Sequence, residues 1–234
     1  MARQPRLILP KQAHHVLQRG NDRQRIFREP EDYERFLGWL ADAARFYKVA
    51  IHAYALLPTH LHLLATPDTE EGLAAMMQKL GRLYVPWYNS KYARAGGLFE
   101  GRFRTAVVES DRHILVCSRF IELAPLRDGE ASEPASYPWS SYRHHAGVHA
   151  DPVVTDHALF WGLGNTPFQR EAAYIDLVGQ GIAADELAQV ANAVQKGQPL
   201  GSHAFKLELE RQTQRRILPA KRGRPFKIPP PAAS

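Results

Sequence analysis

Residues 50–65 read AIHAYALLPTHLHLLA, and this stretch decides the fold expected for the chain. It contains two short apolar runs, residues 50–57 and 61–65, which meet at Leu57-Pro58-Thr59. Apolar runs of this length that are bounded by a turn-forming sequence are typical of paired strands. The stretch therefore predicts a β-hairpin.

Strand and helix patterns flank this hairpin on both sides. Apolar residues that recur every three or four positions predict helices, and short apolar runs predict strands. Pro86 should end or kink the second helix, and Asp111 can cap the third. The order β-α-β-β-α-β-α indicates an α+β, ferredoxin-like split βαβ domain with one antiparallel sheet and helices on one face. Besides the hairpin, the predicted elements are strands at residues 13–18 and 103–109 and helices at residues 30–47, 70–91 and 111–123.

Composition divides the chain into three parts. Residues 1–127 hold the ferredoxin-like pattern, residues 128–212 are expected to form a helical C-terminal lobe, and residues 213–234 are expected to be a disordered basic tail. Net charge is +4 over residues 1–150, −5 over residues 151–210 and +7 over the last 24 residues, which contain no acidic side chain. Such a tail suits a polyanion, since each cation placed on a phosphate releases counterions. A solvated tail that only aids solubility is an equal alternative.

The cysteine content and the hydropathy of the sequence indicate the cellular location to expect. The chain has one cysteine, Cys117, so an internal disulfide is excluded and a reducing cytosol is favoured. Its apolar runs are too short for a signal peptide or a membrane span. We therefore expect a cytoplasmic, nucleoid-associated protein with no membrane partner.

The sharpest local feature is the pair His60 and His62. Alternate residues of a strand face the same side, so both imidazoles should meet at one point while Leu61 and Leu63 enter the core. Such a pair can bind a divalent cation. The alternative is that the two histidines have this spacing by chance and bind no metal. The pairs at residues 14–15 and 144–145 are adjacent in sequence, so their side chains should diverge.

Five sequence blocks occur in fixed order along the chain. They are HHVLQRGN (14–21), LPTHLHLL (57–64), GLFEGRF (97–103), RFIELAP (119–125) and YPWSSY (137–142). Together they resemble the REP-associated tyrosine transposases, which are IS200-like enzymes, and the resemblance covers about residues 5–145. It implies that residues 1–127 form an IS200-like transposase domain acting on single-stranded or hairpin DNA. His60, Leu61 and His62 match its HUH motif, which implies Mg²⁺ or Mn²⁺ at the two histidines. The resemblance also implies that a helix tyrosine attacks the phosphate and forms a 5′-phosphotyrosine.

The sequence departs from the family pattern at the expected nucleophile. The family reads roughly Arg-Tyr-Ile-Glu-Leu-Asn-Pro, whereas this chain has Phe120 in place of the tyrosine and Ala124 in place of the amide. Positions i and i+4 share a helix face, so both losses should fall on the surface that meets the histidines. No intact catalytic residue is therefore predicted. The substitutes considered are Cys117, Glu122 on another helix face, metal-bound water, and the hydroxyls of Tyr84, Tyr88, Tyr137 and Tyr142.

Basic residues near the strands and in the tail are the candidate DNA contacts. Phe99 and Phe103 could stack on unpaired bases, although a core position for Phe103 is the simpler alternative. The tail segment KRGRP at residues 221–225 resembles an AT-hook, which lays arginines into the minor groove of A·T-rich duplex DNA. The candidate residues are Arg19, Arg23, Arg25, Arg102, Arg104, Arg222, Gly223 and Arg224.

The sequence is compatible with three functions. The first is a DNA-binding relative of the transposases with impaired cleavage and strand transfer. The second is an active metal-dependent transposase or nuclease that uses water or another tyrosine. The third is a non-enzymatic repeat-binding regulator that relies on the helical lobe and the tail. A homodimer is expected by analogy with related enzymes.

Overall fold

The computed structural model describes residues 6–218, and its centre is a four-stranded antiparallel sheet. The strands are β1 (His14–Arg19), β2 (Val49–Leu57), β3 (His60–Pro67) and β4 (Arg104–Val107), in the order β2-β3-β1-β4. This is the order of a split βαβ sheet, so the predicted α+β, ferredoxin-like class is confirmed. The hairpin is tighter than predicted, because Leu57 pairs with His60 and only Pro58 and Thr59 form the turn.

Helices follow the strands in the predicted order, and several more follow residue 123. The helix α1 begins at Pro30, where Glu29 and Asp32 form a capping box. The described helices are α1 (Pro30–Phe46), α2 (Gly72–Lys91), α3 (Ser110–Glu122), α4 (Ala124–Arg127), α5 (Tyr142–His145), α6 (Ala158–Trp161), α7 (Pro167–Gly179), α8 (Ala184–Lys196) and α9 (His203–Thr213).

Helices cover both faces of the sheet, and the expectation of one covered face was wrong. Leu61 and Leu63 pack in one core cluster with α1 and α2. Leu17 and Leu64 point to the opposite face and pack with α3 and α8. The second face is apolar because the strands carry leucines at both odd and even positions, which is the pattern of strands buried on both sides.

Two local predictions also need correction. The helix α2 does not end at Pro86 but continues to Lys91. Tyr84 and Tyr88 stabilise its position by donating hydrogen bonds to the carbonyls of Ile26 and Arg25. The cap of α3 is Glu109 rather than Asp111, which lies in the first turn of the helix. An acidic side chain there still interacts favourably with the helix dipole.

Segments of the chain beyond the sheet pair with both of its edges. The backbone N–H of Leu56 in β2 donates to the carbonyl of Trp139, and the N–H of Leu200 donates to the carbonyl of Val107 in β4. Backbone contacts divide the described chain into two compact units, residues 6–201 and residues 202–218. The domain boundaries expected from composition remain predictions. No helix within residues 6–218 is long and apolar enough to cross a membrane.

Candidate functional site

A cavity of about 330 Å³ opens on the sheet face that α3 and α8 cover. The structure brings His60 and His62 together there, with ring centroids 5.1 Å apart and ring planes nearly perpendicular. Leu61, between them, is fully buried on the opposite face, as the strand alternation requires. The cavity is lined by Leu17, Arg19, Arg23, Thr59, His60, His62, Phe120, Ala124, Arg127, Asp128, Ala191, Val194 and Gln195.

A third histidine, His15, belongs to this site and was missed from the sequence. Its Nε2 lies 2.9 Å from Nδ1 of His62, and the ring centroids are 5.0 Å apart. The side chains of the adjacent pair do diverge, because the ring of His14 instead contacts the carbonyl of Gln12. The register could have identified His15, since it shares a strand face with Leu17, which pairs with His62.

All three imidazoles are held in the uncharged form. Burial lowers the pKa of His15 to about 3, and the positive charge of Arg127 acts in the same direction. Burial also lowers the pKa of His62 well below its usual value. The pKa of His60 is lowered by burial, although the Asp128 carboxylate opposes this shift. Neutral imidazoles can donate or accept hydrogen bonds and can bind metals.

The position expected for the nucleophile holds a phenyl ring that points at these histidines. The ring centroid of Phe120 is 5.8 Å from that of His62 and 5.6 Å from that of His15. Ala124 lines the same cavity, although it begins α4 and is separated from α3 by Leu123. The guanidinium of Arg127 lies 4.2 Å from the centroid of the Phe120 ring.

None of the tyrosines weighed as substitutes lies in the cavity. All nine tyrosines fall between residues 33 and 174, within the part of the chain that the structure describes, and none lines this cavity. Tyr84 and Tyr88 pack on the other sheet face, Tyr137 donates to the Leu56 carbonyl, and Tyr142 lies in a separate cluster. Thr59 supplies the hydroxyl nearest to the site, with Oγ1 3.2 Å from Nδ1 of His60.

Cys117 and Glu122, the two other candidate substitutes for the tyrosine, do not line the cavity either. Cys117 is fully buried in the core, and burial raises the pKa of its thiol, so the reactive thiolate is disfavoured. Glu122 is buried away from the cavity, where it accepts hydrogen bonds from Ser141 and Tyr174 and contacts His145. This places Glu122 on another helix face, as predicted, where it ties α3 to α5 and α7.

The arginines predicted to bind DNA lie in separate places. Arg19 and Arg23 line the histidine cavity together with Arg127, which the sequence reading had not singled out. Arg102 lines a second cavity of about 670 Å³ with Phe99 and Phe103. Arg104 lines neither of these cavities and contacts Glu100 and the carbonyl of Gln195. Arg25 is exposed and is in neither lining, while Arg222, Gly223 and Arg224 lie outside the described residues.

Comparison with known proteins assigns the part of the chain that carries the histidines and Phe120 of this site. The family described as "Transposase IS200 like" matches residues 9–123, which include β1 through α3. These residues belong to the IS200-like transposase family.

One solved structure of a transposase has a similar fold. The structure of a REP-associated tyrosine transposase bound to a REP hairpin matches with a TM-score of 0.51 and 14% identity, over 68% of this chain and 96% of that one. The crystal structure of a protein described as a transposase, from Deinococcus radiodurans R1, matches with a TM-score of 0.36 and 19% identity, over 47% of this chain and 90% of that one. No curated protein matched the sequence.

The side chains at the IS200-like site do not make a complete metal centre. His60 and His62 supply two imidazoles, but Ala124 supplies no donor where the family pattern has an amide. Asp128 lies 3.7 Å from Nε2 of His60. Within residues 6–218 no three His, Cys, Asp or Glu side chains are arranged to hold an ion. The predicted Mg²⁺ or Mn²⁺ would therefore need most of its ligands from water or from DNA.

Proposed function

We propose that this protein binds single-stranded or hairpin DNA as an IS200-like transposase relative, and that its strand cleavage and transfer are impaired. One observation carries the proposal: the side chain that faces His62 from α3 is the phenyl ring of Phe120. A phenyl ring has no oxygen that can attack a phosphate. The lining of the cavity, which falls within the described residues, offers no tyrosine in its place.

The charges around the cavity favour a DNA backbone. Arg19, Arg23 and Arg127 line it with two uncharged histidines, and Asp128 is the acidic residue of the lining. Guanidinium groups bind phosphate with paired hydrogen bonds, so this set suits one phosphate of a DNA strand. A similar fold has been solved with a REP hairpin bound, which supports hairpin DNA as the ligand of this chain.

The second cavity supports binding of unpaired bases. Phe99 lines it beside Arg102, and aromatic rings stack on bases of any sequence. Phe103 also lines it, but its ring is buried in the core and lies under the guanidinium of Arg6, 3.8 Å from the ring centroid, so Phe99 is the ring proposed to stack. Gln18 lines this cavity and Arg19 lines the first, so the two cavities lie on opposite faces of the end of β1. A single strand that crosses this end could place a phosphate in one cavity and a base in the other.

A covalent-adduct assay tests the proposal. The protein is incubated with hairpin oligonucleotides and Mn²⁺, and a protein–DNA adduct that resists denaturant is sought. We expect binding without an adduct for the native protein and a detectable adduct for the double variant Phe120→Tyr, Ala124→Asn. Phe99→Tyr is the matched control, since it adds the same hydroxyl in the other cavity. A robust adduct with the native protein would refute the impaired site.

A second candidate, retained cleavage, rests on the hydroxyl of Thr59. Its Oγ1 lies 3.2 Å from Nδ1 of His60, so a neutral imidazole could accept its proton. Strand cleavage that Thr59→Val abolishes would favour this function. Cleavage that survives Thr59→Val but is lost in His60→Ala would favour water as the nucleophile.

The expected homodimer is constrained by the edges of the sheet. Segments of the same chain pair with both β2 and β4 through backbone hydrogen bonds. We propose that any dimer uses another surface, because joining two sheets edge to edge would have to displace these segments.

A further inference from the structure

His15 forms a contact that the transposase chemistry does not by itself require. Its ring is buried against both His62 and Phe120, with Nε2 2.9 Å from Nδ1 of His62. The other ring nitrogen of His15, Nδ1, is buried and has no hydrogen-bond partner among the described residues. One nitrogen of His15 therefore bonds to His62, while the other is buried and has no partner among the described side chains and backbone groups.

The two rings can share this hydrogen bond in two ways. Both are uncharged at neutral pH, since they are buried with no carboxylate bonded to either in the described chain. A neutral imidazole carries one N–H and one lone pair. In the first arrangement His15 donates from Nε2, and His62 carries its own proton on Nε2. In the second arrangement His62 donates from Nδ1, and its Nε2 has a free lone pair.

The isolated nitrogen of His15 decides between these arrangements. In the second arrangement the proton of His15 must sit on Nδ1, which leaves a buried N–H without an acceptor. In the first arrangement Nδ1 is only an unused lone pair. Buried N–H groups without partners are rarer than acceptors without partners, so the first arrangement is favoured.

We propose that His15 is a positioning residue that holds His62 in the tautomer with its proton on Nε2. Nδ1 of His62 is occupied by His15, so Nε2 is the nitrogen that His62 can present to the cavity. In the free protein His62 therefore offers an N–H donor, which binds a phosphate oxygen, rather than a lone pair for a metal ion. A carboxylate or carbonyl partner would instead favour metal binding at a histidine.

Nuclear magnetic resonance of the free protein tests the tautomer directly. The protein is labelled with ¹⁵N at its eleven histidines, and long-range ¹H–¹⁵N correlations separate protonated from unprotonated ring nitrogens. The signals of His62 are identified by their loss in His62→Gln. We expect Nε2 of His62 to be protonated and Nδ1 unprotonated; a protonated Nδ1 would overturn the proposal. No DNA is present, so the result is independent of the proposed DNA-binding function.

A variant then tests whether His15 is the cause. His15→Glu replaces the ring with a carboxylate of similar reach, which can only accept a hydrogen bond when ionised. We expect the proton of His62 to move to Nδ1 and Mn²⁺, measured by the electron paramagnetic resonance of the free ion, to bind at least tenfold more tightly. His149→Glu is the matched control, because it adds the same charge at an exposed position. A folded His15→Glu protein in which Nε2 of His62 stays protonated would overturn the role of His15.

Discussion

Acid should unfold this protein at a mildly low pH, because several histidines are buried in the uncharged form. Burial lowers the pKa of His14 to about 4, that of His15 to about 3 and that of His52 to about 4. The contacts of His14 show why binding a second proton to its ring is unfavourable. Its Nδ1 faces the carbonyl of Gln12, and its Nε2 accepts a hydrogen bond from the N–H of Leu9. A proton on Nε2 would face another donor.

The direction of the effect follows from proton linkage. The unfolded chain binds protons at histidine near the ordinary pKa of about 6.5, while these folded rings stay neutral. Their stability contribution is therefore complete above pH 6.5 and is lost as the pH falls. Between pH 8 and pH 5 each of the three should lose about 2 kcal/mol, or about 6 kcal/mol in all. That is comparable with the total stability of about 5–15 kcal/mol of a typical protein.

One other buried histidine acts in the opposite direction. Burial opposes the charged form of His145, but the carboxylate of Glu122 outweighs it and raises the pKa of this imidazole. A raised pKa adds stability below the ordinary value and loses it as the pH rises through the folded value. This opposing shift is confined to one side chain. His14, His15 and His52 should therefore dominate below pH 6.5, and the lowered pKa values of His60 and His62 act in the same direction.

Urea denaturation at pH 8, 7, 6 and 5, followed by tryptophan fluorescence, measures this loss. We expect the free energy of unfolding to fall steeply below pH 6.5. His52→Gln should flatten the curve by about 2 kcal/mol between pH 8 and pH 5. His149→Gln, at an exposed position, should leave the slope unchanged. A free energy of unfolding that stays level from pH 8 to pH 5, or an unaltered slope in His52→Gln, would refute the reasoning.

Three further predictions concern the site and its supports. Arg127→Ala should weaken hairpin DNA binding and reduce the slope of log affinity against log salt concentration by about 1. Arg104→Ala should change the affinity and the slope less. Binding titrations at several salt concentrations measure both quantities. Glu122→Ala should cost about 3 kcal/mol or more in urea denaturation, because it leaves the buried Tyr174 hydroxyl and Nδ1 of His145 without their carboxylate partner and removes one hydrogen bond of Ser141. Gly20→Ala should destabilise the protein and weaken DNA binding, since the added Cβ would collide with the carbonyl oxygen of Gln24 and shift the loop that carries Arg23. Unchanged melting and binding for Gly20→Ala would contradict this account.

The local sequence pattern was sufficient to predict the order of the strands and helices and the first two site residues, His60 and His62. Apolar periodicity gives the strands and helices of the IS200-like domain, because each element must bury one face. The alternation of a strand places His60 and His62 on one side of the sheet. The ordered family blocks identify Phe120 and Ala124 as the departures that matter. None of these inferences needs a contact between distant residues.

Tertiary structure decided the rest, because the deciding contacts join residues far apart in sequence. His15 meets His62 across 47 residues, and only the strand register puts one beside the other. Two tyrosines of the helix α2 bond to a distant loop, and the second sheet face is covered because α8 returns to it. The sequence alone thus determined that the site would have two imidazoles, those of His60 and His62, and would lack a tyrosine hydroxyl and an amide. Packing added His15 and Arg127 to these groups. Packing determined which of their nitrogens and charges face the cavity.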